Sequence, residues 1–473
     1  FDKNDILIKD NLFTGSPRYA MFDKDGIFWI ADSDKGLLMN PNSWELQQKI
    51  PEGPASVDIT DIAVKNKRMI VVPGGATTDL NNRFRTGEVF IYNKPQWNNW
   101  KGSDIHDFYR IAVDPLDSEH FYIGSWGGGI FEFKNGELLL NYKEENSSLQ
   151  SIIPGPYIRI GGMAFDKDNN LWVANSGVPR PVSVLTKSGE WISFPVSSYV
   201  NAPNIGRIIV TANNSKWMIL SGGRGLFILD DKGTFSDFSD DQYRKLSVVD
   251  KNNEVITNDI LSLAEDRDGV LWLGSSKGVI VYYNPERVFT GQNFYAQQII
   301  VPRKDGSGKG DILLGTESVT AIAVDGANRK WLGTRNAGVF LVSPDGRELI
   351  HSFTSINSPL LSNAIIAIEI DGMTGDVYFG TDKGVISYRG DAVSPQNNFQ
   401  NIYVYPNPVR EDFQGDIIIS GLVAETIVKI TDISGNLVFE TRSLGGQALW
   451  NGKNFSGDRV KTGVYLVFCS DKM

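Results

Sequence analysis

The sequence predicts an all-β chain, a β-propeller of Trp/Gly-type repeats followed by a small immunoglobulin-like β-sandwich. Three observations predict it. A short phrase returns about eight times: an alternating apolar strand, an Asp/Gly turn, a Trp or other aromatic, a small residue, then a Gly-led strand. Successive anchors lie roughly 41 to 59 residues apart, the length of one four-stranded blade. Beyond Pro395 the phrase stops and short strands with different turn residues take over.

The clearest copies are Asp23-Lys-Asp-Gly-Ile-Phe-Trp29, Asp266-Arg-Asp-Gly-Val-Leu-Trp272-Leu-Gly274 and Asp325-Gly-Ala-Asn-Arg-Lys-Trp331-Leu-Gly333. In the second of these, Ile260 to Ala264 reads as the innermost strand, Asp266 to Gly269 as the turn, Val270 to Gly274 as the returning strand, and Gly278 to Tyr282 as the third. Other copies anchor on Tyr122, Trp172, Trp217 and Tyr378, and the most degenerate, from Ile62 to Tyr92, uses Met69 and Ile70. Ile6-Leu-Ile8 stands alone before the first copy, and the last copy shows no outer strand after Tyr388. Circular closure, with the N-terminal strand completing the final blade, is the expectation. The propeller repeats are assigned to 1–395, as one propeller or parts of two; the long insertion from Asn284 to Ser318 reads as a surface excursion or as a passage between propellers.

Composition narrows the function. With 473 residues, 41% hydrophobic, the chain can bury a large core, and 48 glycines suit many tight turns. A net charge of −10 without a Lys/Arg-rich run argues against nucleic acid as a partner. The single cysteine, Cys469, excludes an internal disulfide and reads as a small apolar strand residue. His106, His120 and His351 lack zinc spacing, and no cofactor is implied. No run of 18 apolar residues is long enough to span a membrane as a helix. The turns at Asp23, Asp166 and Asp266 look superficially like calcium loops, but none continues to the glutamate an EF-hand needs, so they read as turn chemistry. The Gly127 to Gly129 and Gly222 to Gly225 runs lack the Lys-Ser/Thr of a phosphate loop. No nucleophile or recurrent acid pair stands out, so the chain reads as non-enzymatic.

Candidate ligand residues recur between the second and third strands of the copies. Lys35, Arg180, Arg224, Lys277, Arg335 and Lys383 occupy that loop, with Trp126 in the equivalent loop of another copy. Such loops share one propeller face with the connections between blades. A ring of cations with an aromatic suits anionic sugars or phosphate; solvated lysines and arginines beside turn glycines are the plainer alternative.

The segment 396–473 opens on Tyr405-Pro-Asn-Pro408 and continues through Lys429-Ile-Thr-Asp432, Gly435, Trp450-Asn-Gly452 and Gly463-Val-Tyr-Leu466. These elements resemble the C-terminal sorting domain of type IX secretion cargo in Bacteroidetes, here ending short of the usual last strand. The upstream repeats resemble the two-component-regulator propeller family. The pairing is similar to the surface propeller subunits of the type IX attachment complex, which carry two seven-bladed propellers, so further N-terminal blades are expected. That resemblance implies export across the outer membrane and retention at the cell surface, with the PorU sortase and the barrels PorV and PorQ as partners. It also implies non-catalytic binding of anionic lipopolysaccharide and its presentation to the sortase. The alternatives are an extracellular carbohydrate-sensing propeller of a hybrid two-component regulator and a secreted polysaccharide-active enzyme.

Overall fold

A computed structural model describes residues 15–40, 46–49, 53–77, 79–196, 200 and 204–471. The chain forms two compact units, one reaching to Ala55 with Pro95–Trp97, the other holding Ser56–Lys94 and the chain from Asn98 onward. In the first unit Pro17–Phe22, Phe28–Asp32, Gly36–Asn40 and Gln47–Lys49 form one antiparallel sheet in sequence order. Its first strand shows Tyr19, Met21 and Phe22 to solvent. Ile6 to Ile8, expected to complete the final blade, lie outside the described residues.

Among the described residues of the second unit, seven antiparallel sheets follow one another. Their innermost strands, Asp61–Lys65, Phe108–Val113, Ile158–Phe165, Ile205–Val210, Ile260–Glu265, Val319–Val324 and Ile365–Ile370, pack side by side in that order. The seventh returns to the first, so a ring closes. At that closure Ile62 packs under Gly380, and the Lys67 N–H donates to Asp371 at 2.7 Å. We call the sheets blades one to seven. The Asn284 to Ser318 insertion supplies the outer strand Gln297–Gln298 of blade five and a small hairpin, Ile300–Pro302 with Gly310–Ile312, then feeds blade six of the same ring. It is no passage between propellers.

The recurring phrase acts through its aspartate. In blade five one carboxylate oxygen of Asp266 accepts the N–H groups of Asp268 and Val270, both at 2.9 Å, and closes the turn. The other accepts Trp272 Nε1 at 2.8 Å and Lys330 Nζ of blade six at 2.8 Å. That ammonium lies 4.5 Å from the Trp272 ring. Asp166 grips Trp172 in blade three in the same way, and Asp23 grips Trp29 in the first unit. Lys216 of blade four stands 4.1 Å from the Trp172 ring and pairs with Asp231 in full burial. The turn aspartates are thus engaged by indoles, amides and lysines.

Blades two and three are stitched together. The strand His120–Gly127 outruns its own sheet and pairs with the next innermost strand, Trp126 opposite Arg159 and Gly127 opposite Ile158. Beyond the ring, Tyr403–Tyr405, Ile417–Ser420 and Gln447–Trp450 form one sheet and Leu437–Arg442, Ile427–Asp432 and Tyr465–Ser470 another. Both bury side chains in one core, Ile419, Val428, Ile430, Ala448 and Trp450 among them, with Cys469 packed at its edge. This module meets the ring through one backbone and one side-chain bond: Gly446 N donates to Val393 O, and Gln447 Nε2 to Asp391 O at 2.9 Å. A Cβ on Gly326 would fall 1.8 Å from Val393 O, and one on Gly445 2.1 Å from it. Close approach of three backbones requires both glycines.

The Asp266–Lys330 contact is open to test, because its side chains keep only 3% and 0% of their surface. Asp266→Ala leaves a buried ammonium unpaired and is expected to cost roughly 3–5 kcal/mol, read from urea unfolding of the purified chain. The double variant Asp266→Asn/Lys330→Met should recover more than half of that loss, because the indole keeps an acceptor and no charge is stranded.

Candidate functional site

In each antiparallel blade the loop between second and third strands emerges beside the loop that enters the next blade. Arg180, Arg224, Lys277, Arg335 and Lys383 all lie in such loops of the ring, in blades three to seven, and all are exposed. Their side chains have no acidic partner among the described residues. Arg180 Nη1 donates to Ser193 Oγ at 3.3 Å, Arg224 Nε to Ser221 O at 3.1 Å, and Lys277 Nζ to Ile256 O at 3.1 Å. Asp382 stands beside Lys383 on its loop, and Asp259 and Glu317 on the adjoining loops that enter blades five and six. Lys35 belongs to the other unit, where it is half-buried and its backbone is tied to Asp32 and Gln48.

Trp126 corrects the expectation of an exposed stacking surface. The residue is 2% exposed, because the long strand carries it under the neighbouring blade. Its Nε1 donates to Leu80 O at 3.0 Å, and Tyr109 meets it edge-on at 5.4 Å. The guanidinium of Arg159 lies 5.2 Å from its centroid and 5.4 Å from that of Tyr157.

Those contacts lead to a constellation the repeats do not announce. Tyr109, Arg110, Arg159 and Arg207 sit within the first three residues of their innermost strands, at the same end of the ring as the cationic loops. Arg110 lies 3.8 Å over the Tyr109 ring and donates from Nε to Gly161 O at 3.0 Å. Arg207, in blade four, reaches across the middle to Asp61 in blade one, Nη2 to Oδ1 at 2.6 Å. The other Asp61 oxygen accepts the Ile111 N–H at 3.1 Å. Asp107, fully buried nearby, is satisfied by the amides of Arg83, Phe84 and Arg85 and by Asn82 Nδ2, which ties the stretch Asn82 to Arg85 to this strand end.

The electrostatics follow from enclosure. Burial opposes the Arg207 charge, yet Asp61 outweighs it and holds the guanidinium above its ordinary pKa. Arg110 has no carboxylate partner, and burial, with Arg207 nearby, lowers it. Further down the channel Glu369 on the blade-seven strand keeps part of its surface open but is surrounded by protein. Burial, reinforced by the Asp61 charge, pushes its carboxyl up to about 8.

Sequence reading missed these residues because the innermost strands look like plain apolar alternation. A signal existed: the places held by Arg110 and Arg207 are taken by the small residues Ser262, Ala321 and Ala367 in blades five to seven.

A carboxyl near pH 8 in the fold, against 4.5 when unperturbed, makes the native state bind more protons between those values. Stability therefore falls as pH rises through that window. Glu369→Gln is expected to raise the melting temperature by a few °C at pH 8 and to leave it unchanged at pH 5, in paired thermal scans. Wild type is the reference throughout because His120 also titrates. Glu132 at 2.7 Å, then Asp114 at 2.9 Å, raise its pKa against burial, and that stabilisation too is lost as pH climbs.

Comparison with known proteins agrees with this architecture. Residues 403–472 match the secretion system C-terminal sorting domain, and residues 254–277 the two component regulator propeller. No curated protein matches the chain. Among solved structures, PorZ, described as an essential bacterial surface component of the type IX secretion system of Porphyromonas gingivalis, superposes with a TM-score of 0.71 at 29% identity over 94% of this chain. The match spans 62% of the PorZ chain. The extracellular domain of a putative hybrid two-component system from B. thetaiotaomicron matches at a TM-score of 0.49 and 13% identity, covering 95% of this chain and 68% of that one. Propeller repeats, sorting domain and superposition together make the chain PorZ-like.

Proposed function

We propose that the chain is a non-catalytic cell-surface component of a type IX secretion attachment complex. It binds anionic lipopolysaccharide on the cationic face of the ring and presents it to a PorU-type sortase, with PorV- and PorQ-type barrels in the same assembly. One observation carries this reading: the likeness to PorZ runs through both the propeller and the sorting module, over 94% of the chain. The sorting-domain match at 403–472 favours export over signalling. In this reading seven of the eight repeats form the ring and the first belongs to a second propeller. The domain boundary falls near 395/396, and the terminal module is an immunoglobulin-like sandwich that docks to the secretion machinery.

The arrangement supports a division of labour. The sandwich meets the ring at Gly326 and at Asp391 to Pro395, beside the turns that join first and second strands. Those turns lie at the opposite end from the cationic loops, so docking at one end leaves the other accessible. Exposed guanidinium and ammonium groups without acidic partners suit phosphate or carboxylate groups on a glycan.

Titration of the purified chain against anionic and neutral lipopolysaccharide of one bacterium, at low and moderate salt, tests this. Selective, salt-weakened binding of the anionic form is the expected result. The triple variant Arg224→Ala/Lys277→Ala/Arg335→Ala should bind it about tenfold more weakly, since each exposed ion pair contributes up to roughly 1 kcal/mol. Its melting temperature should stay unchanged. Undiminished binding in the triple variant removes these loops from the site.

A further inference from the structure

We propose that the channel mouth inside the cationic loops is a phosphate subsite, built on Arg159 and Arg110 and walled by Tyr157 and Tyr109, that takes a phosphate monoester carried on a sugar. The inference deepens the reading that this face receives an anionic glycan, and rests on it.

Arg159 carries the argument. Among the described residues its guanidinium makes no hydrogen bond and no ion pair, and its Nε is shielded from water without a partner. A half-buried arginine with an unmet donor is uncommon, because an unpaired buried polar group forfeits its hydration. The residue is nevertheless held in place, with Trp126 and Tyr157 both near its guanidinium. Tyr157 is itself fixed by a hydrogen bond from its hydroxyl to Asn82, which also donates to Asp107. The fork is therefore positioned in advance.

Arg110 adds a second uncompensated charge. Its Nε is used by Gly161 O, and that carbonyl belongs to the strand carrying Arg159, two residues on. The acids around the mouth are already engaged or neutral. Asp61 pairs with Arg207, Asp107 is saturated by four N–H donors, and Glu369 holds its proton at neutral pH. A dianion balances two guanidiniums that have no carboxylate partner among the described residues, and a phosphate offers enough acceptors for the N–H groups they leave unused. The half-exposed rings of Tyr157 and Tyr109 supply the amphipathic surface on which a sugar ring packs.

Calorimetric titration with glucose 1-phosphate, inorganic phosphate and glucose tests the assignment on the whole chain. Glucose 1-phosphate is expected to bind, inorganic phosphate more weakly, and glucose not at all. Arg159→Ala should reduce glucose 1-phosphate affinity at least tenfold with an unchanged melting temperature, and Arg159→Lys, which keeps the charge but loses the fork, should lose less. The lysine variant decides the matter if the alanine variant folds poorly. Native affinity in both variants, or no binding of either anion, overturns the site; equal affinity for inorganic phosphate overturns its assignment to a sugar phosphate. The two readings fail separately. Glycan binding lost in the outer-loop triple variant but kept in Arg159→Ala overturns the mouth alone. Glucose 1-phosphate binding that depends on Arg159, in a chain that ignores lipopolysaccharide, supports the mouth and overturns the glycan reading.

Discussion

The constraint around which the ring is built is one carboxylate shared at the blade turn, complete in blades three and five. An Asp side chain that accepts two backbone amides fixes the hairpin, and the same side chain, by accepting an indole N–H six residues on, aims a tryptophan between blades. The indole would otherwise be buried with an unmet donor. Where the device is altered, the consequence is visible. In blade four Thr211 replaces the aspartate, and in blade six Asp325 turns to Arg329; there Trp217 and Trp331 are buried with Nε1 unpartnered. Buried lysines complete the arrangement, since Lys216 and Lys330 each lie against the tryptophan of the preceding blade.

Much of this was legible because turn and anchor are local. Asp266, Gly269 and Trp272 fall within seven consecutive residues, and their spacing alone dictates hairpin and packing. The second-strand anchors Tyr122, Trp172, Trp217 and Tyr378 are buried where periodicity put them. Long-range events were not legible. No local pattern says that His120–Gly127 continues into the next blade, so Trp126 read as a loop residue although register buries it. Nor does spacing pair Asp61 with Arg207, which are 146 residues apart and meet only when blade four faces blade one across the middle.

The candidate site divides along the same line. Cations in the loops recur with the repeat and were found by counting. The channel arginines break the repeat, standing where blades five to seven have the small residues Ser262, Ala321 and Ala367, and only closure of the ring brings them together. A repeat scaffold thus carries two kinds of information: what every copy shares builds the walls, and what single copies change furnishes the interior.

The strand shared by blades two and three also makes the ring mechanically uneven. That junction is sewn by main-chain hydrogen bonds. Among the described residues, this is the junction at which a blade strand pairs directly with the innermost strand of the next blade. The other junctions are held by separate contacts: from five to six Ser262 Oγ donates to Val319 O at 3.2 Å, the Gly278 N–H donates to Glu317 O and Lys330 pairs with Asp266, and from six to seven Thr320 Oγ1 donates to Ile365 O at 2.6 Å and the Gly338 N–H to Asn363 O. One continuous eight-stranded sheet therefore carries both Trp126 and Arg159, so a displacement of either blade carries the two residues together.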